Sequence, residues 1–240
     1  RFGVRYNFTI ESKDIIMDPE IRLSLSTKVS RKRIGIELES MISGKNARPV
    51  VALEMIHTLQ LAPSVFHLPT EVQKDVWEQG HAYLQQLPAM LEHCESMSSS
   101  STTTKLNVRL VHVLCYLLPI RNITYTVKYK QYPILHYVFR ESLKCKNTAV
   151  QAVVTIAKNI DHFVELLNTP FDRVRVGLLL RDVKESWVTT LFLAAIVGNT
   201  MDERLTTLYT TIRDELDECW KIRPLLDGKA LIQTLDLQIG

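Results

Sequence analysis

Arg173, Gly177, Arg181 and Lys184 recur at the spacing of one helix face, inside a stripe about 80° wide at 100° per residue. Three cations along one helix edge, beside apolar Val176, Leu179, Leu180 and Val183, have the reach to grip successive phosphates of a polyanion. Asp172, Asp182 and Glu185 lie among them and dilute that field, and the commoner use of such a stripe is to face water. Lys105 and Arg109 add two cations at the head of an apolar segment. A further patch interleaves Lys128 and Lys130 with Tyr125, Tyr129 and Tyr132. Aromatic rings between cations can stack unpaired bases, although a packed loop is the more frequent use of such residues.

Residues for covalent or metal chemistry do not fall into a pattern. In-line phosphoryl displacement needs carboxylates that share metal ions, set as paired Asp after a Gly-Ser or Gly-Gly strand, and this arrangement does not occur in the 240 residues. Neither does a P-loop, a dinucleotide-binding glycine fingerprint, an HExxH helix or a nucleophile elbow. Asp161-His162 reverses the order of the His-Asp pair in metal-dependent phosphohydrolases and has no second ligand cluster, so it reads as a polar helix face. His57, His81, His112 and His136 stand singly in helical patterns, where a hydrogen-bonded histidine is the ordinary case.

Cys94, Cys115, Cys145 and Cys219 are far apart, which fits reduced thiols in an intracellular compartment better than disulfides or zinc. A formal charge of +3 permits a polyanionic partner without requiring one. The longest apolar run, Val188 to Gly198, is far shorter than the ~20 residues that cross a bilayer, so no membrane span is expected.

The elements that must position these residues are helices. With 8 Gly and 9 Pro in the chain, long segments of Leu, Ile, Val, Glu, Lys and Arg run on without turn punctuation, and the fold class predicted is all-α. Gly3 and Asn7 are expected to end a first helix, with an extended piece to Ile10. Ser30 caps a helix from Arg31 to Ile42 that buries Ile34, Leu38, Met41 and Ile42, and Gly44 closes it. Pro49 begins its antiparallel partner, and a third helix from Thr70 to about Glu95 is expected to break at Pro88. Residues 96–104, almost pure Ser and Thr, read as a flexible loop separating residues 1–95 from residues 105–240. Beyond it, Leu106 to Leu118 reads as the central buried helix, followed by helices from Pro133, from Thr148 to Leu167, across Phe171 to Val197, and from Met201 to Ile222. The start at Arg1 rather than Met, and a stop at Gly240 in mid-pattern, lead to the expectation that the chain is part of something longer.

Arg1-Phe2-Gly3-Val4-Arg5-Tyr6-Asn7-Phe8-Thr9-Ile10, followed by Val29-Ser30-Arg31-Lys32-Arg33-Ile34-Gly35-Ile36-Glu37-Leu38-Glu39, resembles the neck of class II CCA-adding enzymes and bacterial poly(A) polymerases. There an Arg-Phe ends one helix and Ser-x-x-Arg-Ile-x-x-Glu opens the next. Arg48 to Phe66 continues the likeness, and Pro224 to Leu231 with Leu237 to Gly240 is similar, more weakly, to the family's tail. The Ser-rich loop and the missing His-Asp motif fit the eukaryotic branch.

The resemblance implies an irregular helical neck, body and tail, belonging to an enzyme that adds C, C and A to the 3′ end of tRNA from CTP and ATP. Mg²⁺ and the catalytic carboxylates would belong to an N-terminal catalytic head before Arg1, so these residues alone are expected to be inactive. It also implies that Arg33 and Glu37 buttress the nucleotide-reading helix, where their bland alternative is a surface ion pair worth a few tenths of a kcal/mol. The tRNA-binding candidates Lys105, Arg109, Arg173, Arg181 and Lys184 come from charge and periodicity instead. The family's compartments are cytoplasm, nucleus and mitochondrion. The competing reading is a stand-alone helical module that binds RNA or protein and never catalyses.

Overall fold

A computed structural model describes residues 2–6, 13–69, 73, 75–97, 106–222 and 234. In chain order the α-helices are α1 (Phe2–Tyr6), α2 (Lys13–Met17), α3 (Pro19–Lys28), α4 (Arg31–Ile42), α5 (Pro49–Thr58), α6 (Ala62–Val65), α7 (Asp75–Met97), α8 (Val108–Leu117), α9 (Ile134–Tyr137), α10 (Asn147–Asn168), α11 (Arg173–Val183), α12 (Trp187–Val197) and α13 (Glu203–Glu215). The all-α expectation holds, with one departure among the described residues. Strands β1 (Thr124–Val127) and β2 (Lys130–Pro133) form an antiparallel hairpin.

Where the caps are written in the sequence, the helices follow them. Ser30 Oγ accepts from the Arg33 amide at the start of α4, and Gly44 adopts the left-handed φ of 101° just beyond its end. Ile34, Leu38 and Ile42 turn inward as expected, against Ala52, Leu53 and Ile56 of α5. Three helices went unread, α2, α3 and α6. The signal for α3 was available: Asp18 accepts from the Glu20 amide at 2.7 Å and Pro19 occupies the first helical position.

Three expectations are corrected. Gly3 lies inside α1 instead of ending it, because a five-residue helix is held by tertiary contact, here through fully buried Val4. Pro88 does not break α7, which runs on to Met97 and so includes Ser96, the first residue of the expected loop; the apolar stripe Leu84, Leu87, Met90 and Cys94 holds it to the core on both sides of the proline. Residues 98–105 lie outside the described set. Leu110 to Leu117 of α8, the expected central helix, are all buried, and α12 is buried with it: all residues from Trp187 to Ile196 are buried, and α7, α8, α10, α11 and α13 pack against it. Phe171 to Val197 is therefore two helices, parted at Lys184, where φ is 50°.

Helices α4 and α7 each meet a neighbour through a close approach of backbone. A Cβ on Gly35 would stand 2.0 Å from the Leu143 carbonyl oxygen, and one on Gly80 would stand 2.2 Å from that of Tyr116. Beside the second contact lies a seam of rings. His57 stacks on His81 at 4.1 Å, its Nδ1 is 3.4 Å from the Tyr116 hydroxyl, and its Nε2 is 3.4 Å from Glu78.

Gly35→Ala and Gly80→Ala should each cost about 2 kcal/mol through forced separation of packed backbone. Thermal unfolding should show the midpoint lowered by about 4–8 °C. The imidazole of His57 sits below its ordinary range, because burial and then the charge of His81 disfavour the cation more than Glu78 favours it; burial and Arg140 do the same to His136. Both rings therefore bind protons more weakly folded than unfolded. Stability should be full above neutrality and fall as pH drops through about 6.5, a trend that urea midpoints at pH 7.5 and 5.5 will read and that His57→Asn will reduce.

Candidate nucleic-acid interface

The neck site is built on α4. Arg33 and Glu37 do share one side of that helix, where they line a hollow of about 190 Å³ together with Leu25, Val29, Met41 and Val65. Arg33 is exposed. The residue of the motif that ties the neck to its surroundings is Arg31, which sequence reasoning passed over. Its half-buried guanidinium donates from Nε to the Ser142 carbonyl at 3.0 Å, from Nη1 to the Ser64 carbonyl at 2.7 Å, and from Nη2 to the Val65 carbonyl. Burial pulls its pKa down from the usual arginine value, which leaves it charged at any physiological pH.

That fork joins α4 to the end of α6 and to the π-helical turn Val138–Ser142. Ser64 continues the connection by donating its hydroxyl to the Arg22 carbonyl of α3, and Ser142 does so by donating to the His67 carbonyl. No periodicity marks Arg31 as buried. Its place at the first turn, where the helix axis points it back toward the preceding chain, is the only hint in the sequence.

The five cations proposed for RNA meet different surroundings. Lys105 lies outside the described residues. Arg109 is exposed but pairs with Glu39 of α4, so its charge is largely spent between helices. On α11, Arg173 donates to Glu215 at 2.6 Å and Arg181 reaches the Ile222 carbonyl at 3.3 Å. Lys184 is exposed, follows the end of the helix at positive φ, and has no side-chain partner among the described residues. The stripe thus holds from Arg173 to Arg181, and helical spacing does not extend to Lys184.

Around these cations the surface is mixed: Arg175 pairs with Glu165, Arg213 with Asp214 at 2.6 Å, and Lys221 with Glu218. Asp161 is structural. Partial burial opposes its ionisation, but hydrogen bonds from Arg121 at 2.8 Å and Asn122 at 3.1 Å outweigh it and hold the carboxyl below its usual range. No group of three or more His, Cys, Asp or Glu among the described residues is placed to hold a metal ion, so these residues do not fit the Mg²⁺ that the family resemblance implies. Among the described residues no helix is long and apolar enough to cross a membrane.

No protein-family model matches the chain. No solved structure matches it either. Curated relatives do, across its full length. A tRNA nucleotidyltransferase, cca2, of Schizosaccharomyces pombe is 28% identical over 100% of this chain and 52% of its own. The mitochondrial CCA tRNA nucleotidyltransferases of Candida glabrata and Saccharomyces cerevisiae are 24% and 23% identical, again over 100% of this chain and over 54% and 52% of theirs. Over its whole length the chain is similar to CCA-adding tRNA nucleotidyltransferases. It spans about half the length of the curated relatives it matches.

Arg31 and Arg33 can be separated by experiment. Arg31→Ala strands three backbone carbonyls and should cost about 3 kcal/mol, with Arg31→Lys intermediate because an ammonium cannot reproduce the fork. Arg33→Ala should stay within about 0.5 kcal/mol. Denaturant midpoints of the three variants measure this directly, and equal losses for Arg31→Ala and Arg33→Ala would contradict it.

Proposed function

We propose that this chain forms the neck, body and tail of a CCA-adding tRNA nucleotidyltransferase, which extends the 3′ end of tRNA with C, C and A from CTP and ATP. The observation that carries the reading is the match of all 240 residues to tRNA nucleotidyltransferases about twice as long. Metal-dependent phosphoryl transfer needs carboxylates that share metal ions, and no group of three or more His, Cys, Asp or Glu among the described residues could hold one. The chemistry therefore belongs to a catalytic head outside these residues, which holds Mg²⁺ and the nucleotide.

Within this reading α4 has a positioning role. A base-reading side chain must be held within about half an ångström of its productive place by rigid supports. Arg31 anchors α4 to α6 and the Val138–Ser142 turn, and Arg33 and Glu37, which line a hollow on the same helix, buttress the nucleotide-reading helix in this reading. The body serves to hold tRNA through its shape and phosphates, with Arg173, Arg181 and Lys184 as contacts.

The 240-residue chain should bind tRNA weakly, with affinity that falls steeply as salt rises, and should incorporate no labelled CTP or ATP into tRNA lacking CCA. Incorporation by this chain alone would overturn the division of labour. The double variant Arg181→Ala, Lys184→Ala should weaken binding and flatten the slope of log affinity against log salt by about 0.9 for each lost duplex phosphate contact. An unchanged slope would show that these two cations face only water.

A further inference from the structure

The basic-aromatic patch at residues 125–132 is a hairpin, not a packed loop. Val127 pairs with Lys130, leaving Lys128 and Tyr129 as a two-residue turn with φ of 46° and 67°. Such a turn favours Asn-Gly, because both central residues need left-handed backbone that side chains with a Cβ resist. Lys and Tyr stand there against that preference. Tyr129 is 102% exposed, Lys128 and Lys130 are exposed beside it, and none of the three has a side-chain partner among the described residues.

This tip is held out by a firm base. The Ile134 amide donates to the Ile123 carbonyl at 2.8 Å, Tyr125 and His136 are joined at 2.9 Å between hydroxyl and Nδ1, and the rings of Tyr132 and Tyr137 pack against this pair at 5.4 to 5.8 Å. Thr124 to Pro133 contains two lysines and no acid. Only Val127 adds apolar surface near the tip, too little for a protein groove.

We propose that Lys128-Tyr129-Lys130 is a contact for single-stranded RNA, in which one unpaired base stacks on the Tyr129 ring while the flanking phosphates lie at the two lysines. The chemistry matches term by term: a ring open on both faces for a base, and a cation on each side for the backbone. Duplex RNA offers no free base face and is not the ligand. Naming the RNA as an unpaired stretch of tRNA rests on the proposed function above; the preference for a single strand does not.

Two probes keep the claims apart, a tRNA lacking CCA and a short unstructured oligoribonucleotide, each titrated against the full 240-residue chain. Tyr129→Ala should weaken oligoribonucleotide binding about tenfold, and Tyr129→Phe should restore it, since the ring and not the hydroxyl does the stacking. Lys128→Ala and Lys130→Ala should each lower the salt slope by about 0.7. The decisive variant is Lys128→Asn with Tyr129→Gly, which suits the turn: the protein should melt higher and yet bind worse. Higher stability with unaltered binding would overturn the hairpin's role and leave tRNA holding by the body intact. Oligoribonucleotide binding that depends on Tyr129, with no affinity for tRNA, would support the hairpin contact and overturn the tRNA reading. Equal loss on blunt duplex RNA, or binding only to anionic lipid vesicles, would overturn the single-strand proposal.

Discussion

Helix α12 has no face that water could accept. From Trp187 to Ile196 every side chain is buried, so the rest of the fold must supply a complete coat of helices around it. Each of its large side chains is worth about 1.5–3 kcal/mol once removed from water, and none of that is realised unless the coat closes. Its few polar atoms are provided for. Thr190 donates to the Ser186 carbonyl at 2.9 Å, Thr189 accepts from the Asn107 amide at 3.1 Å, and Trp187 donates to Asp217 at 2.9 Å. Two of these bonds also fix distant points of the chain, the start of α8 and the segment after α13, to one helix.

From α12 the rigidity passes outward by shape. The helices α7 and α8 lie against α12 and against each other, with Gly80 admitting the Tyr116 carbonyl. Phe66, Trp77 and Tyr116 then form one aromatic cluster with ring centres about 6 Å apart, which brings the end of α6 onto the α7 and α8 pair. At that end Arg31 takes hold of the Ser64 and Val65 carbonyls, and α4 closes onto the Val138–Ser142 turn through Gly35. Helix α4 is therefore seated on α6 and the Val138–Ser142 turn chiefly through backbone carbonyls.

How much of this was legible depends on the range of the interaction. Local signals were read well: Ser30 and Gly44 around α4, Pro49 before α5, and the apolar period of α10 are decided within one or two turns. Asp18-Pro19 at the start of α3 was an equally local signal that went unread. The hairpin carried none, since Lys128-Tyr129 is not a pair that turns advertise; its geometry is imposed by the ring packing at its base. Arg31 was hidden for another reason. Its acceptors lie 33, 34 and 111 residues away, and a sequence seen one window at a time cannot show that a cation on a helix's first turn has been surrounded. The resemblance singled out Arg33 and Glu37 by type and spacing, whereas the bonds that tie α4 to α6 and to the Val138–Ser142 turn come from Arg31, two residues earlier.

The same distinction of range governs the basic surface. Counting cations along α11 treats each as a full charge, but Arg173 faces Glu215 and Arg175 faces Glu165, so their fields at a distance are those of dipoles. Arg109 is likewise spent on Glu39, where it holds α8 against α4. A phosphate approaching these pairs must compete with a carboxylate already in place, whereas one approaching Lys128, Lys130 or Lys184 displaces only water and counterions. Release of counterions is what drives association with a polyanion, so the side chains that matter most are those the protein has left unpaired. By that criterion the hairpin tip and the end of α11 outrank the longer stripe, even though the stripe is the stronger pattern in the sequence.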